Sequence, residues 1–141
     1  MTTQEYQEYI EKHGIRMTAT KVDRNPNMAD AMPAGSTHWM CTFTAGAKAL
    51  LVYYSMGPAL TGEPQIVQVL NCLADDAAGY EFAGGYEEWC ADYGYGPGDR
   101  DPKRIYATLK REAGKLRVFL GDAAYDELLN DVDRNEVEKL G

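Results

Sequence analysis

After Gly57-Pro58 the hydrophobic spacing of this chain changes from two residues to about 3.6, so strands must give way to helices at that point. Before the break, IRMTATKV (Ile15 to Val22) is rich in β-branched residues and reads as a strand. HWMCTFT (His38 to Thr44) sets Trp39, Cys41 and Phe43 on one face and His38, Met40 and Thr42 on the other. AGAK then turns the chain into ALLVYYSMG, completing a hairpin. A three-stranded antiparallel sheet is the economical arrangement, because two strands alone are marginal. Ahead of it, Tyr6, Tyr9 and Ile10 recur at helical spacing up to Gly14, which predicts a short N-terminal helix. Asp23 to Thr37 has turn chemistry at Asn25-Pro26-Asn27 and reads as a long loop, with a helical turn near Met28 to Met32.

Beyond the break, Pro64 suits the first turn of a helix whose apolar face carries Ile66, Val67, Leu70, Leu73, Ala74 and Ala77, widened by Val69 and Cys72. It should bury against the sheet and end at Gly79. Tyr86, Trp89, Cys90 and Tyr93 form the stripe of a short surface helix capped by Gly94, with Glu87, Glu88 and Asp92 on the solvent side. Asp101 and Pro102 have the N-cap and N1 chemistry of a long helix to Leu120. In that helix Ile105, Leu109, Ala113, Leu116, Phe119 and Leu120 face Lys103, Arg104, Lys110, Arg111, Lys115 and Arg117 across the axis. After Gly121, Asp122 caps a last helix with Tyr125, Leu128 and Leu129 inward, and the polar chain from Asn130 should fray. The expectation is one α+β domain over residues 1–141. Its sheet region, 15–56, packs on about four helices in 64–129, and 130–141 form a tail.

At 141 residues with 45% hydrophobic and 26% charged side chains, the chain can bury a core without metals or disulfides. No apolar run reaches membrane-spanning length, and the first residues, MTTQEYQEYIEKHG, lack the basic-then-apolar order of a signal peptide, which predicts a cytoplasmic protein. Cys41, Cys72 and Cys90 are odd in number and include no Cys-x-x-Cys pair, so buried thiols in a reducing compartment are expected. The net charge of −8 opposes direct binding to phosphate backbones.

The charges are also ordered. From Asp75 to Asp101 every charged residue but Arg100 is acidic, and from Lys103 to Arg117 every one but Glu112 is basic. Such blocks either neutralise one another within the fold or present a polarised surface.

Catalytic sets are hard to assemble from these residues. His13 sits at a helix end, where the helix dipole accounts for it, and His38 lies on the strand face opposite Cys41, which argues against a His-x-x-Cys pair. Asp75-Asp76 and Glu87-Glu88 are adjacent on helices and diverge. Asp92, Asp99 and Asp101 do not follow an EF-hand spacing, and Gly94-Tyr95-Gly96-Pro97-Gly98 lacks the lysine and preceding strand of a phosphate loop. No cofactor or metal is expected. Tyrosine is the stronger lead, since Tyr53, Tyr54, Tyr80, Tyr95 and Tyr106 cannot all point inward. Exposed rings among carboxylates are either interface anchors or ordinary boundary residues.

NPNM at Asn25 to Met28, HWMCTF, YYSMG, EEWCADYGY, the following K-R-x-Y and KLRVFLGD-x-x-Y-x-x-LL resemble small cytosolic proteins encoded by phages, prophages and other mobile elements. The likeness spans Ile15 to Leu129. Where that group has a short Asp-Ser-Arg-like link before the long helix, this chain has GPGDRDP. The resemblance implies a virus-side accessory protein of anti-CRISPR or antirestriction type, one that occupies a nucleic-acid-binding surface of host defence machinery. The contact residues would be Asp75, Asp76, Tyr80, Glu81, Glu87, Glu88, Asp92, Tyr95 and Asp99, meeting a host protein with a basic surface such as a CRISPR effector subunit. Two other classes stay open: a small hydrolase using carboxylates, or a metal, near Asp92 to Asp101, and nucleic-acid contact through the basic helix Lys103 to Arg117.

Overall fold

The computed structural model describes residues 1–27 and 32–140, with 133–140 as backbone only. The fold is α+β: helix α1 (Thr3–Lys12), strands β1 (Arg16–Val22), β2 (Thr37–Ala45) and β3 (Lys48–Met56), then helices α2 (Ile66–Phe82), α3 (Tyr86–Tyr93), α4 (Arg100–Leu120) and α5 (Asp122–Leu140). The chain divides into two compact units, Thr2–Leu70 and Asn71 onward, with the boundary inside α2. The helical turn expected near Met28 to Met32 lies outside the described residues.

In the first unit α1 starts with a capping box: the Thr2 hydroxyl accepts from the Glu5 N–H at 3.1 Å, and Glu5 Oε1 accepts from the Thr2 N–H at 3.0 Å. It ends in a Schellman motif, with the Ile15 N–H on Ile10 O and the Gly14 N–H on Glu11 O, and it turns Tyr6 and Tyr9 inward. The sheet is antiparallel in the order β1-β2-β3. Gly46, at φ 60°, supplies the left-handed first position of the two-residue turn between Ala45 and Lys48. Trp39, Cys41 and Phe43 are buried on one face of β2 as the alternation requires, joined by Leu50 and Val52 of β3, and the Trp39 indole N–H is satisfied by Thr37 Oγ1 at 2.9 Å.

Several local expectations in the helical part need correction. Pro64 precedes α2 instead of opening it, because the Gln65 carbonyl accepts the first helical bond, from the Val69 N–H. The buried line of α2 runs through Val69, Leu70, Ala74, Ala77 and Ala78, rotated from the expected face so that Ile66, Val67 and Leu73 become flanks. Gly79 does not end α2, which continues to Phe82. Asp99, not Asp101, is the N-cap residue of α4, and Pro102 is its third residue, still inside the first turn where a missing N–H costs no helical bond. Asp122 likewise stands inside α5, whose first bond is accepted by Gly121 O from the Tyr125 N–H at 2.9 Å. Helix α5 also extends past Asn130: Val132 prolongs the buried stripe of Tyr125, Leu128 and Leu129.

Gly114 sits exposed in the middle of α4 with open space where a Cβ would go. Gly114→Ala should stabilise the protein by about 1 kcal/mol through helix propensity alone, raising the melting temperature by about 3 °C in a thermal scan followed by circular dichroism.

Candidate protein-binding surface

The second unit holds a cluster of rings built around Trp89, which is 2% exposed. Trp89 meets Tyr93 at 5.4 Å, Tyr95 at 5.3 Å and Tyr106 at 5.4 Å between centroids, and Tyr106 in turn meets Tyr80 at 5.3 Å and Tyr86 at 5.2 Å. These are the tilted and offset distances that aromatic quadrupoles favour. The helix end explains how Tyr95 arrives there. Gly94 takes φ 77°, a left-handed conformation easy only without a Cβ, and folds the chain back so that the Tyr95 N–H bonds Cys90 O at 2.8 Å. The Tyr95 ring then stacks on Trp89 with an interplanar angle of 18°. The Tyr86 hydroxyl donates to Pro97 O at 2.8 Å and ties α3 to the following loop.

Gly79 has a role that its place in the sequence concealed. A Cβ at that position would overlap the Tyr93 hydroxyl, so the glycine lets Tyr93 lie against α2. The outer part of the cluster is open to solvent, with Tyr93 57% and Tyr95 39% exposed; Phe82, at the end of α2, is 52% exposed. Phe82 escaped the sequence reading because ending α2 at Gly79 left it without a helical phase.

Of the nine candidate contact residues, Tyr95 is the ring stacked on Trp89, and the other eight fall into three settings. Glu87, Glu88, Asp92 and Asp99 are exposed and take part in no ion pair among the described residues. Asp99 lies over Gly96, where a Cβ would fall 2.8 Å from its Oδ2, which is why its carboxylate makes no side-chain cap on α4. Tyr80, half-buried, and Glu81, exposed, are both engaged by neighbouring side chains. Tyr80 packs on Tyr106, and Glu81 Oε1 accepts from the buried Tyr125 hydroxyl at 2.9 Å. Burial, and then Tyr80, Glu88 and Glu81, hold the Tyr106 hydroxyl above its ordinary range. The half-buried Tyr86 hydroxyl is pushed up to about 12 by desolvation first, then by Cys90 and Asp99. Asp75 and Asp76 form a separate group one turn earlier on α2. There the Cys72 thiol donates to Asp76 Oδ2 at 3.9 Å, and the Asp76 carboxyl is raised to about 6, by desolvation first and by Asp75 second. Burial, then Asp76 and Asp75, push the Cys72 thiol up to about 12, so it is not a thiolate nucleophile.

The basic arc of α4 is exposed, but much of it is held by nearby acids. Arg104 pairs with Asp101, Arg111 and Lys115 with Glu112, and Arg117 with Asp122 and Asp126 while its guanidinium lies 4.8 Å over the Tyr125 ring. Asp92, Asp99 and Asp101 do not come together as a cation site: among the described residues no three His, Cys, Asp or Glu side chains stand where they could hold a metal ion. No helix among them is long and apolar enough to cross a membrane. Comparison with known protein families, curated proteins and solved structures finds no match to this chain.

Two outcomes follow from this geometry. The folded Asp76 holds its proton more tightly than the unfolded chain does, so its contribution favours the native state at low pH and is lost as pH rises from about 4 to about 6. Asp76→Asn should therefore raise the melting temperature at pH 7, with the gain vanishing near pH 4. Gly79→Ala should destabilise or leave unchanged the wild-type protein but stabilise a Tyr93→Ala background by about 1 kcal/mol, where helix propensity acts without the overlap; denaturant titration of the four proteins measures the coupling.

Proposed function

We propose that this protein acts by binding rather than catalysis, as a phage or mobile-element accessory protein of anti-CRISPR type that covers a basic nucleic-acid-binding surface of a host defence complex. The observation that carries this reading is the outer side of α3. Glu87, Glu88 and Asp92 stand there without ion pairs, beside the exposed rings of Tyr93 and Tyr95 on a helix anchored by buried Trp89. Unpaired carboxylates are already solvated, and bringing them to lysines and arginines gains Coulomb energy without first breaking an internal pair. Rings pre-set on a buried indole contribute contact area at small entropic cost. Glu81, engaged by Tyr125, contributes less than its position in the acidic block suggests, and Asp75 and Asp76 stand at the margin of the surface.

A purified CRISPR effector and its guide RNA or target DNA provide the test. Adding the protein should displace the nucleic acid in a mobility-shift assay at low salt, and the effect should fade as salt is raised. Glu87→Lys, Glu88→Lys and Asp92→Lys together should slow association at least tenfold while moving the melting temperature little. Absence of any complex with basic nucleic-acid-binding defence proteins at about 50 mM salt, below the physiological range, would remove the proposal.

A further inference from the structure

The other unit contains a hydrogen-bond relay that the binding function does not use. His38 of β2 and Ser55 of β3 are direct cross-strand partners on the sheet face opposite Trp39, Cys41 and Phe43. His38 Nδ1 and Ser55 Oγ are 2.8 Å apart, and Asn25 Nδ2, from the loop after β1, is 3.1 Å from the same oxygen. The far end of this relay fixes the orientation of the Asn25 amide. Asn25 Oδ1 accepts from the Asn27 N–H at 2.9 Å, which turns the amide so that its NH2 group faces Ser55. The Ser55 oxygen therefore accepts from Asn25, and in the tautomer with the imidazole proton on Nε2 its own proton is directed to His38 Nδ1.

A serine that donates to an imidazole nitrogen has its base in place. The chain's other serine makes the contrast: Ser36 donates to the carbonyl of Pro33 at 2.6 Å, a group too weakly basic to take a proton. Around the pair, the same sheet face carries Val22, Met40 and Tyr53, and the three relay residues are themselves half-buried. These sheet neighbours are uncharged, which suits a neutral acyl group.

We propose that Ser55 is an acylatable nucleophile with His38 as its base, reacting with neutral carboxylic esters of good leaving groups. Ser55 Oγ bonds the acyl carbon while its proton passes to His38 Nδ1. Collapse of the tetrahedral adduct breaks the bond to the leaving oxygen, which takes that proton from His38. The products are acyl-Ser55 and an alcohol or phenol, with the imidazole neutral again and no change of oxidation state.

An aryl fluorophosphonate reports the nucleophile directly, since Oγ displaces fluoride at phosphorus and the proton leaves through His38. Peptide mass spectrometry of the full chain should find the adduct on Ser55 forming at least ten times faster than on Ser36. His38→Gln should lower the Ser55 rate tenfold or more with an unchanged melting temperature, and p-nitrophenyl acetate should give a burst of one phenolate per chain that Ser55→Ala abolishes. Equal labelling of the two serines in the wild-type protein, which needs no variant to fold, overturns the proposal, as does full labelling of Ser55 in folded His38→Gln.

Discussion

Burial of the Trp89 indole organises the second unit. A short helix of eight residues cannot hold itself in water, and α3 has no side-chain cap at Gly85 to help it. Its stability comes from the side it buries, where Trp89 and Cys90 are sealed and Trp89 gathers Tyr93, Tyr95 and Tyr106 from its own helix, from the following loop and from α4. An indole of this size removes a large apolar area from water, and each ring contact adds to that. Once the inward side of α3 is occupied in this way, Glu87, Glu88 and Asp92 have only the outer side left to them.

Electrostatics acts at short range in this unit. The cations of α4 find acids one to nine residues away along the chain, at Asp101, Glu112, Asp122 and Asp126. These exposed pairs contribute little stability, but they use up charge that would otherwise have been free to compensate α3. Among the described residues Glu87, Glu88 and Asp92 of α3 are left outside those ion pairs.

The two units also differ in how they use hydroxyls. In the helical unit the Tyr125 and Tyr86 hydroxyls act as ties, to Glu81 and to Pro97 O, and lock elements that are distant in sequence. On the sheet face opposite Trp39, Cys41 and Phe43, the Ser55 hydroxyl joins Asn25 to the His38 imidazole. The antiparallel register supplies that placement at no additional cost, because opposing residues of β2 and β3 are neighbours by construction.

Local periodicity was enough to read the α+β class, the three antiparallel strands, the inward side of β2 and the stripe of α3, since each depends on spacing within a few residues. Helix ends were less legible. Gly79 has the composition of a terminator, yet its purpose is to make room for Tyr93, which stands fourteen residues further on. Asp101-Pro102 has the chemistry of a helix start, yet the turn from Gly96 to Asp99 had already begun α4. The acidic and aromatic character of Asp75 to Asp101 belongs to the sequence by itself. Which of those carboxylates remain unpaired, which ring is buried, and that Asn25, Ser55 and His38 share a single relay were decided only by tertiary structure, because pairing and desolvation depend on distances between residues that the linear order does not contain.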